Sequence, residues 1–297
     1  MAVWTPDVEL SEQIVQSLIE SNFPNLAPVR LKFLGAGFDN QAYLVNDDVV
    51  FRIPHRKMGG ELMAIECAAL AHLNQSAFPL QIPNPAYVAE PSDVFPYPIA
   101  GYPIVPGTTA DRMLWTDDAR SQNAATLGAF LSKLHRIPTD VESAIGDTIR
   151  RADLKYRLPI ILKKSTQDSS EFRDLLTELA ETEPWNQRNV WVHGDLYSRH
   201  LVANSSGLIT GVIDWGDTHV GDPALDLAIA WMFLPPDSWP AFKTSYGPID
   251  HPTWRRAQFR AMTHCVYLRE YAQETKDEAL LRECAFVMKN VMSRAGD

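Results

Sequence analysis

Apolar positions along the 297 residues fall into two rhythms. VELSEQIVQSLIESNF (8–23) repeats at helical spacing. Three short runs follow, VRLKFLG (29–35), QAYLVN (41–46) and DVVFRIP (48–54), rich in β-branched and aromatic residues. The glycine turn GAGFDN and the polar turn Asn46-Asp47-Asp48 separate them, which predicts an antiparallel meander. Helical spacing returns in ELMAIECAALAHLNQ (61–75), where Leu62, Ile65, Ala69 and Leu73 share a face expected to pack on that sheet.

A proline-rich stretch, 79–106, ends in AGYPIVPGT, read as a strand followed by a connector. The boundary between two lobes is expected there, giving 1–106 and 107–297. Beyond it, Leu127, Phe130, Leu131 and Leu134 are in register on a helix running to His135, a polar helical region is expected over about 139–184, and residues from Pro223 on read mainly as helix. Between these lie HLVA and LITGVID, flanking Asn204-Ser205-Ser206-Gly207, a tetrad suited to closing a hairpin. The plan is α+β: an antiparallel lobe, a helical lobe, and a cleft between them.

Composition narrows the function. A 45% hydrophobic content fills a sizeable core, and 37 acidic against 27 basic side chains leave a formal charge of −10, which repels nucleic acid. No apolar run approaches the roughly 18 residues of a membrane span. The start MAVWTPDVEL lacks the basic-then-apolar order of a signal peptide, so a cytoplasmic location is expected. Cys67, Cys265 and Cys284 are far apart and read as buried thiols.

The candidate chemistry lies in VWVHGDLYSRHLVANSSGLITGVIDWGDTHVGDPALDLA (190–228). Centring the turn on 204–207 sets His200 opposite Gly211 and Asp214 opposite Tyr197, with the Asp195 loop leading into the same open end. Two metal donors, His200 and Asp214, beside a separate carboxylate, Asp195, suit Mg²⁺ and a base that takes a hydroxyl proton, the needs of phosphoryl transfer. His193 reads as structural, His219 as a loop residue, Asp222 as a helix cap before Pro223, and Asp226 as a structural hydrogen-bonder. Asp217 stays open between a supporting role and solvent.

HGDLYSRHLV, VIDWGD and GDPALDLA together resemble the aminoglycoside phosphotransferase family, which shares its fold with protein kinases. The likeness covers most of residues 30–235. It implies a kinase-like two-lobe fold, with Asp195 as catalytic base, Asp214 as the main magnesium ligand, and His200 where the family usually has asparagine. That histidine is similar to the subset of 2″-aminoglycoside and macrolide kinases, so ATP or GTP is the expected phosphate donor. VVFRIP puts Arg52 where the kinase plan has its phosphate lysine, with Glu66 as partner and Lys57 as a weaker alternative cation. Gly35 and Gly37 of GAGFDN are placed in a phosphate-covering loop, and the carbonyl of Pro103 and amide of Val105 against the purine.

The acceptor is read less sharply. Residues 236–297 hold eight acidic and nine basic side chains and 138–184 ten and seven, so the substrate end is not notably acidic. Glu270, Glu274, Asp277 and Glu278 suit amines or a solvated helix face equally. Trp231, Met232, Phe233, Trp239 and Phe242 suit a bulky apolar alcohol or a core. The expected function is phosphorylation of a small-molecule hydroxyl, foremost that of an aminoglycoside. Alternatives are a macrolide kinase, a choline- or sugar-type metabolic kinase using Trp231, Trp239 or Trp254, and a nucleotide-binding pseudokinase. No nucleic-acid or membrane partner is expected.

Overall fold

The computed structural model describes residues 6–37 and 39–293. The chain divides into two compact units: residues up to 76 with Ile82–Val105, and Ala77–Gln81 with the residues from Pro106 on. The architecture is α+β, with the strands of the first unit forming one antiparallel sheet.

In the first unit, α1 (Glu12–Asn22) starts at Ser11, whose Oγ accepts from the Ile14 amide at 3.3 Å, and buries Val15, Leu18 and Ile19. Strands β1 (Leu31–Ala36), β2 (Asn40–Val45) and β3 (Val49–Pro54) form the expected meander. Asn46 and Asp47 turn β2 into β3 at φ 52° and 65°, a left-handed pair that short polar side chains tolerate. After α2 (Lys57–Leu73) come β4 (Tyr87–Ala89) and β5 (Ile99–Pro103), and the sheet order is β1-β2-β3-β5-β4. Phe51 centres the core, with the rings of Phe23 and Tyr87 at 5.5 and 5.9 Å.

Two expectations shift here. Helix α2 begins at Lys57 rather than Glu61, because Gly59-Gly60 is not a breaker: a Cβ on Gly59 would lie 2.6 Å from the Asp39 carbonyl oxygen. Its buried face runs through Met63, Glu66, Leu70 and Leu73, with Leu62 and Ile65 only half-buried. The edge strand β4 lies inside the proline-rich stretch, where three residues paired on one side leave little periodicity to read.

The second unit opens with β6 (Thr108–Thr109), α3 (Asp117–Ser121) and α4 (Ala124–Leu134). Leu127, Phe130, Leu131 and Leu134 of α4 are all buried. Within 139–184 only α5 (Leu154–Lys164) and α6 (Ser170–Leu179) are helical, and the residues before Asp153 form turns. Strand β7 (Val190–Val192), the hairpin β8 (Leu201–Ala203) and β9 (Ile209–Val212), and β10 (His219–Gly221) follow. The chain then runs through α7 (Ala224–Phe233), α8 (Trp239–Tyr246), α9 (His251–Thr275) and α10 (Glu278–Val291). His219 is thus a buried strand residue paired with Val192, not a loop residue.

All ten residues of α7 are buried. Trp231, Met232, Phe233, Trp239 and Phe242 are therefore core, not a substrate lining. Trp231, Trp239 and Trp254 pack on one another with centroids 4.2–5.4 Å apart, which closes the space a cationic headgroup would need between them. The cysteines are free thiols, Cys265 and Cys284 buried and Cys67 half-buried. Among the described residues no helix is long and apolar enough to cross a membrane.

A buried ion pair clamps three helices of this unit. Arg120 on α3 donates to Glu283 on α10 at 2.6 and 3.1 Å and to the Phe233 carbonyl at the end of α7 at 3.3 Å, with its guanidinium 3.9 Å from the Phe286 ring centroid. Glu283→Ala is expected to cost about 3–5 kcal/mol, because it strands a guanidinium in the interior. Urea unfolding measures this, and Arg120→Met combined with Glu283→Leu should recover most of the loss.

Candidate active site

The site in the second unit is built on the loop between β7 and β8. The chain leaves β7 through His193 and turns at Gly194, whose φ of +83° and closeness to the Asp217 carbonyl oxygen, 2.5 Å from where a Cβ would stand, both require glycine. Asp226 of α7, fully buried, grips this turn: its Oδ2 accepts from the His193 amide at 2.7 Å and its Oδ1 from the Gly194 amide at 2.9 Å. His135 Nε2 adds a contact to Oδ2 at 3.3 Å. Burial alone would lift the Asp226 pKa. The hydrogen bond and charge of His135 and the Gly194 amide outweigh it and hold the carboxyl below its ordinary range.

His193 is the structural strut expected of it. Its Nε2 contacts the Ile213 carbonyl at 2.9 Å, and its Nδ1 accepts from the Asp195 amide at 3.3 Å, a neutral tautomer that burial favours by pushing its pKa down. The carboxylate of Asp195 then has two distinct oxygens. Oδ1 lies 3.2 Å from His264 Nε2 and 3.3 Å from Arg260 Nη2, which also donates to the Gly194 carbonyl at 3.1 Å. Oδ2 has His200 Nδ1 at 3.9 Å, beyond hydrogen-bond length. Withdrawal from water lifts the Asp195 pKa, and the charges of His200 and Arg260 pull it part of the way back.

His200 Nδ1 lies 2.7 Å from the Asp195 carbonyl oxygen. Since that oxygen can only accept, Nδ1 carries a proton, and Nε2 lies 3.5 Å from Asp214 Oδ2. Asp214 itself holds φ +62°, a left-handed conformation uncommon outside glycine. Its side chain is 49% exposed against 9% for His200.

Asp195, His200 and Asp214 are therefore gathered, though not by the expected pairing. The hairpin pairs Leu201 with Val212 and Val202 with Gly211, and the Ile213 amide donates to the His200 carbonyl at 2.9 Å. The expected partner of His200 was Gly211, two residues away. The turn spans 204–208, with Asn204 Oδ1 accepting from Ser206 and Leu208, and an irregularity at Val202/Ala203 absorbs one more residue. A two-residue slip preserves the strand alternation, so the same faces converge.

A magnesium site here would draw on the donor chemistry of these residues. Among the described residues no group of three or more His, Cys, Asp or Glu side chains is arranged to hold a metal. His200 Nε2 and Asp214 form a two-donor set, the imidazole anchored through its other nitrogen by a backbone carbonyl. That fits an ion that takes few protein ligands and completes its shell with phosphate oxygens and water.

In the first unit, Arg52 Nη1 on β3 meets both oxygens of Glu66 on α2 at 2.9 and 2.8 Å, and Glu66 is buried. Lys57 is instead the first residue of α2, 80% exposed and near Glu61. Gly35 lies within β1, paired with Ala42 beside an irregularity in the register, while Gly37 sits at the β1–β2 turn, where its amide donates to the Asn40 carbonyl; Phe38 of that turn lies outside the described residues. Pro103 ends β5 opposite Val49, and the Ile104 amide between Pro103 and Val105 is taken by the Asp48 carbonyl at 2.8 Å.

Sequence reasoning missed Arg260 and His264. Their i, i+4 spacing puts them on one face of α9, but nothing in the local sequence says that this face meets Asp195. Asp217 pairs with Arg151. In the acidic group near the C-terminus, Glu270 is neutralised by Lys164 at 2.5 Å and Asp277 by Arg199 and Arg112 at 2.6 and 3.1 Å, while Glu274 and Glu278 are exposed.

The profile of the phosphotransferase enzyme family, APH, matches residues 30–260. The chain belongs to that family. The uncharacterized protein YcbJ of Bacillus subtilis (strain 168) is 26% identical over 221 residues, 65% of this chain and 67% of that protein. Among solved structures, the GDP complex of an aminoglycoside 2'-phosphotransferase-IIIa superposes with a TM-score of 0.70 at 22% identity, covering 95% of this chain and 99% of that one. The macrolide 2'-phosphotransferase MphH of Brachybacterium faecium gives 0.66 at 20%, covering 95% and 99%. At such identities the likeness is one of fold, and the family's phosphotransferase fold is the one this chain adopts.

The Asp226 brace has a signature in pH. A carboxyl held below its unfolded value, about 3.9, stabilises the fold fully above that pH and loses its contribution as pH falls through the lower folded value. Asp226→Asn is therefore expected to unfold about 2–4 kcal/mol more easily at pH 7, since an amide cannot accept from both loop amides. Its stability should also fall less steeply than the wild type between about pH 4 and 2, as read by chemical denaturation across that range.

Proposed function

We propose that this phosphotransferase moves the γ-phosphate of ATP or GTP onto a hydroxyl of a small molecule, with Asp195 as the base. The observation that carries this reading is the gathering of Asp195, His200 and Asp214 at one loop and hairpin end, with Oδ2 of Asp195 left for a proton. His200 Nε2 and Asp214 would hold Mg²⁺, which when bound supplies charge neutralisation on the terminal phosphates.

Asp195 Oδ2 takes the acceptor's hydroxyl proton while the hydroxyl oxygen bonds to the γ-phosphorus. The bond from that phosphorus to its bridging oxygen breaks, and the nucleoside diphosphate leaves. Arg52, steadied by Glu66, neutralises phosphate charge, the Gly35–Gly37 turn covers the phosphates, and the Pro103 carbonyl and Val105 amide read the purine. Structures of the same fold include complexes with GDP and with ADP, and one of GDP with kanamycin. Those proteins act on aminoglycosides and, for others of the fold, macrolides, so both classes belong in the acceptor panel.

Asp195→Ala is expected to lower kcat by about 10²–10⁴-fold, the usual share of a general base. Its affinity for ATP or GTP should stay within about twofold, since Asp195 meets the acceptor rather than the nucleotide. Nucleoside diphosphate release with aminoglycoside, macrolide and small-metabolite acceptors, together with nucleotide titration, measures both. Undiminished turnover would remove Asp195 from the mechanism, and nucleotide binding without transfer from wild-type protein to any acceptor would leave only a binding module.

A further inference from the structure

Helix α9 carries two arginines one turn apart on one face, and they are held in opposite ways. Arg256 is saturated: its Nε and Nη2 donate to Asp222 at 2.6 and 3.4 Å, its Nη2 also to Thr253 Oγ1 at 2.9 Å, and its Nη1 to the Glu183 carbonyl at 3.0 Å. The side chains of Arg256 and Asp222 are 4% and 3% exposed, so neither could lose the other without stranding a charge. Arg260 differs. Among the described residues its hydrogen bonds both come from Nη2 and are long for a guanidinium, 3.1 Å to the Gly194 carbonyl and 3.3 Å to Asp195 Oδ1. Its Nε is buried with no hydrogen-bond partner among those residues. Its partner Asp195 is 26% exposed, within reach of water. A guanidinium used so sparingly adds little to stability, because a donor withdrawn from water and left unpaired costs about what the bonds made elsewhere return.

What the arrangement does serve is direction. One nitrogen of Arg260 spans the Gly194 carbonyl and the Asp195 carboxylate, tying the side chain to the backbone of its own turn. His264, one turn further along α9, lies 3.2 Å from the same Oδ1, and its ring packs edge-on against Tyr197 with centroids 5.2 Å apart. Both contacts fall on Oδ1, so Oδ2 is the oxygen left for a hydroxyl proton. We infer that Arg260 is a positioning residue: with His264 beside it, it locks the Asp195 carboxylate in the rotamer that presents Oδ2 to the acceptor. The inference rests on the reading of Asp195 as the base. It gives a part in the transfer to a helix outside residues 190–228, acting through Asp195 alone. A misplacement of about 1 Å between base and hydroxyl can cost about 10²-fold in rate.

The test uses the full chain with Mg²⁺ and ATP or GTP, water as the acceptor, and nucleoside diphosphate release as the rate. Arg260→Met should lower kcat by about 10–100-fold and leave KM for the nucleotide within about twofold, and Arg260→Lys, which keeps one charged donor, should turn over at least about threefold faster than Arg260→Met. Urea unfolding separates positioning from folding: the Arg260→Met midpoint should stay within about 0.5 M of wild type, whereas Arg256→Met should lose about 1 M or more. Turnover of folded Arg260→Met within about twofold of wild type overturns the inference. So does a midpoint that falls as far as that of Arg256→Met, or failure to fold, either of which marks a structural pair. Crystal structures read the position itself: the Asp195 carboxylate should leave its rotamer in Arg260→Met and regain it in Arg260→Lys, and an unmoved carboxylate in Arg260→Met counts against the lock. Failure of the base reading looks different. Asp195→Ala would then release diphosphate as fast as wild type, or wild type would release none, while a displaced carboxylate in Arg260→Met would still sustain the lock.

Discussion

One buried carboxylate holds the candidate site together. Asp226 accepts from two successive backbone amides, His193 and Gly194, and so fixes the turn from which Asp195 projects. A buried charge is costly unless every lone pair facing the interior is used, and here the two amides and His135 use them. The arrangement makes the helix α7 and the loop one mechanical piece. His193 extends the piece to β9 through the Ile213 carbonyl, one residue before Asp214. Both Asp195 and Asp214 are therefore indexed to the same core helix, and a shift in either is resisted by hydrogen bonds that have no solvent to replace them.

Much of this is legible in one stretch of sequence, residues 190–228, because its parts are local. A hairpin, a Gly-Asp loop and a proline-started helix follow one another with short connections, and short connections leave few ways to fold. The Asp226 role and the His193 strut can be read there, as can the proximity of His200 to Asp214. Register is harder, because a turn of five residues and a strand irregularity each change the pairing while leaving the side-chain alternation intact. The start of α2 at Lys57 is hidden for a related reason. Glycine marks a turn when judged by propensity, yet here the missing side chains admit the Asp39 backbone.

What cannot be read is what packs from afar. Arg260 and His264 reach Asp195 from α9, 65 and 69 positions along the chain, and helical phase gives only the face they share, not what it meets. The aromatic residues of α7 and α8 fail in the opposite direction. They look like a pocket lining when considered one by one, but α7 is buried all round, and a helix with no solvated face has no surface on which to receive a substrate.

The contrast between global and local charge follows from the same limit. A net charge of −10 describes the field at a distance, where it governs solubility and long-range attraction. At contact range, pairing decides. At Asp195 one carboxylate oxygen faces Arg260 and His264, and the neighbouring Asp217 is matched by Arg151. Since Coulomb energy grows as separation falls and as water is excluded, these few groups outweigh the distant excess of acids for any ligand seated against Asp195. Composition fixes how the molecule is approached, while the partners of each carboxylate fix what it can hold once it is there.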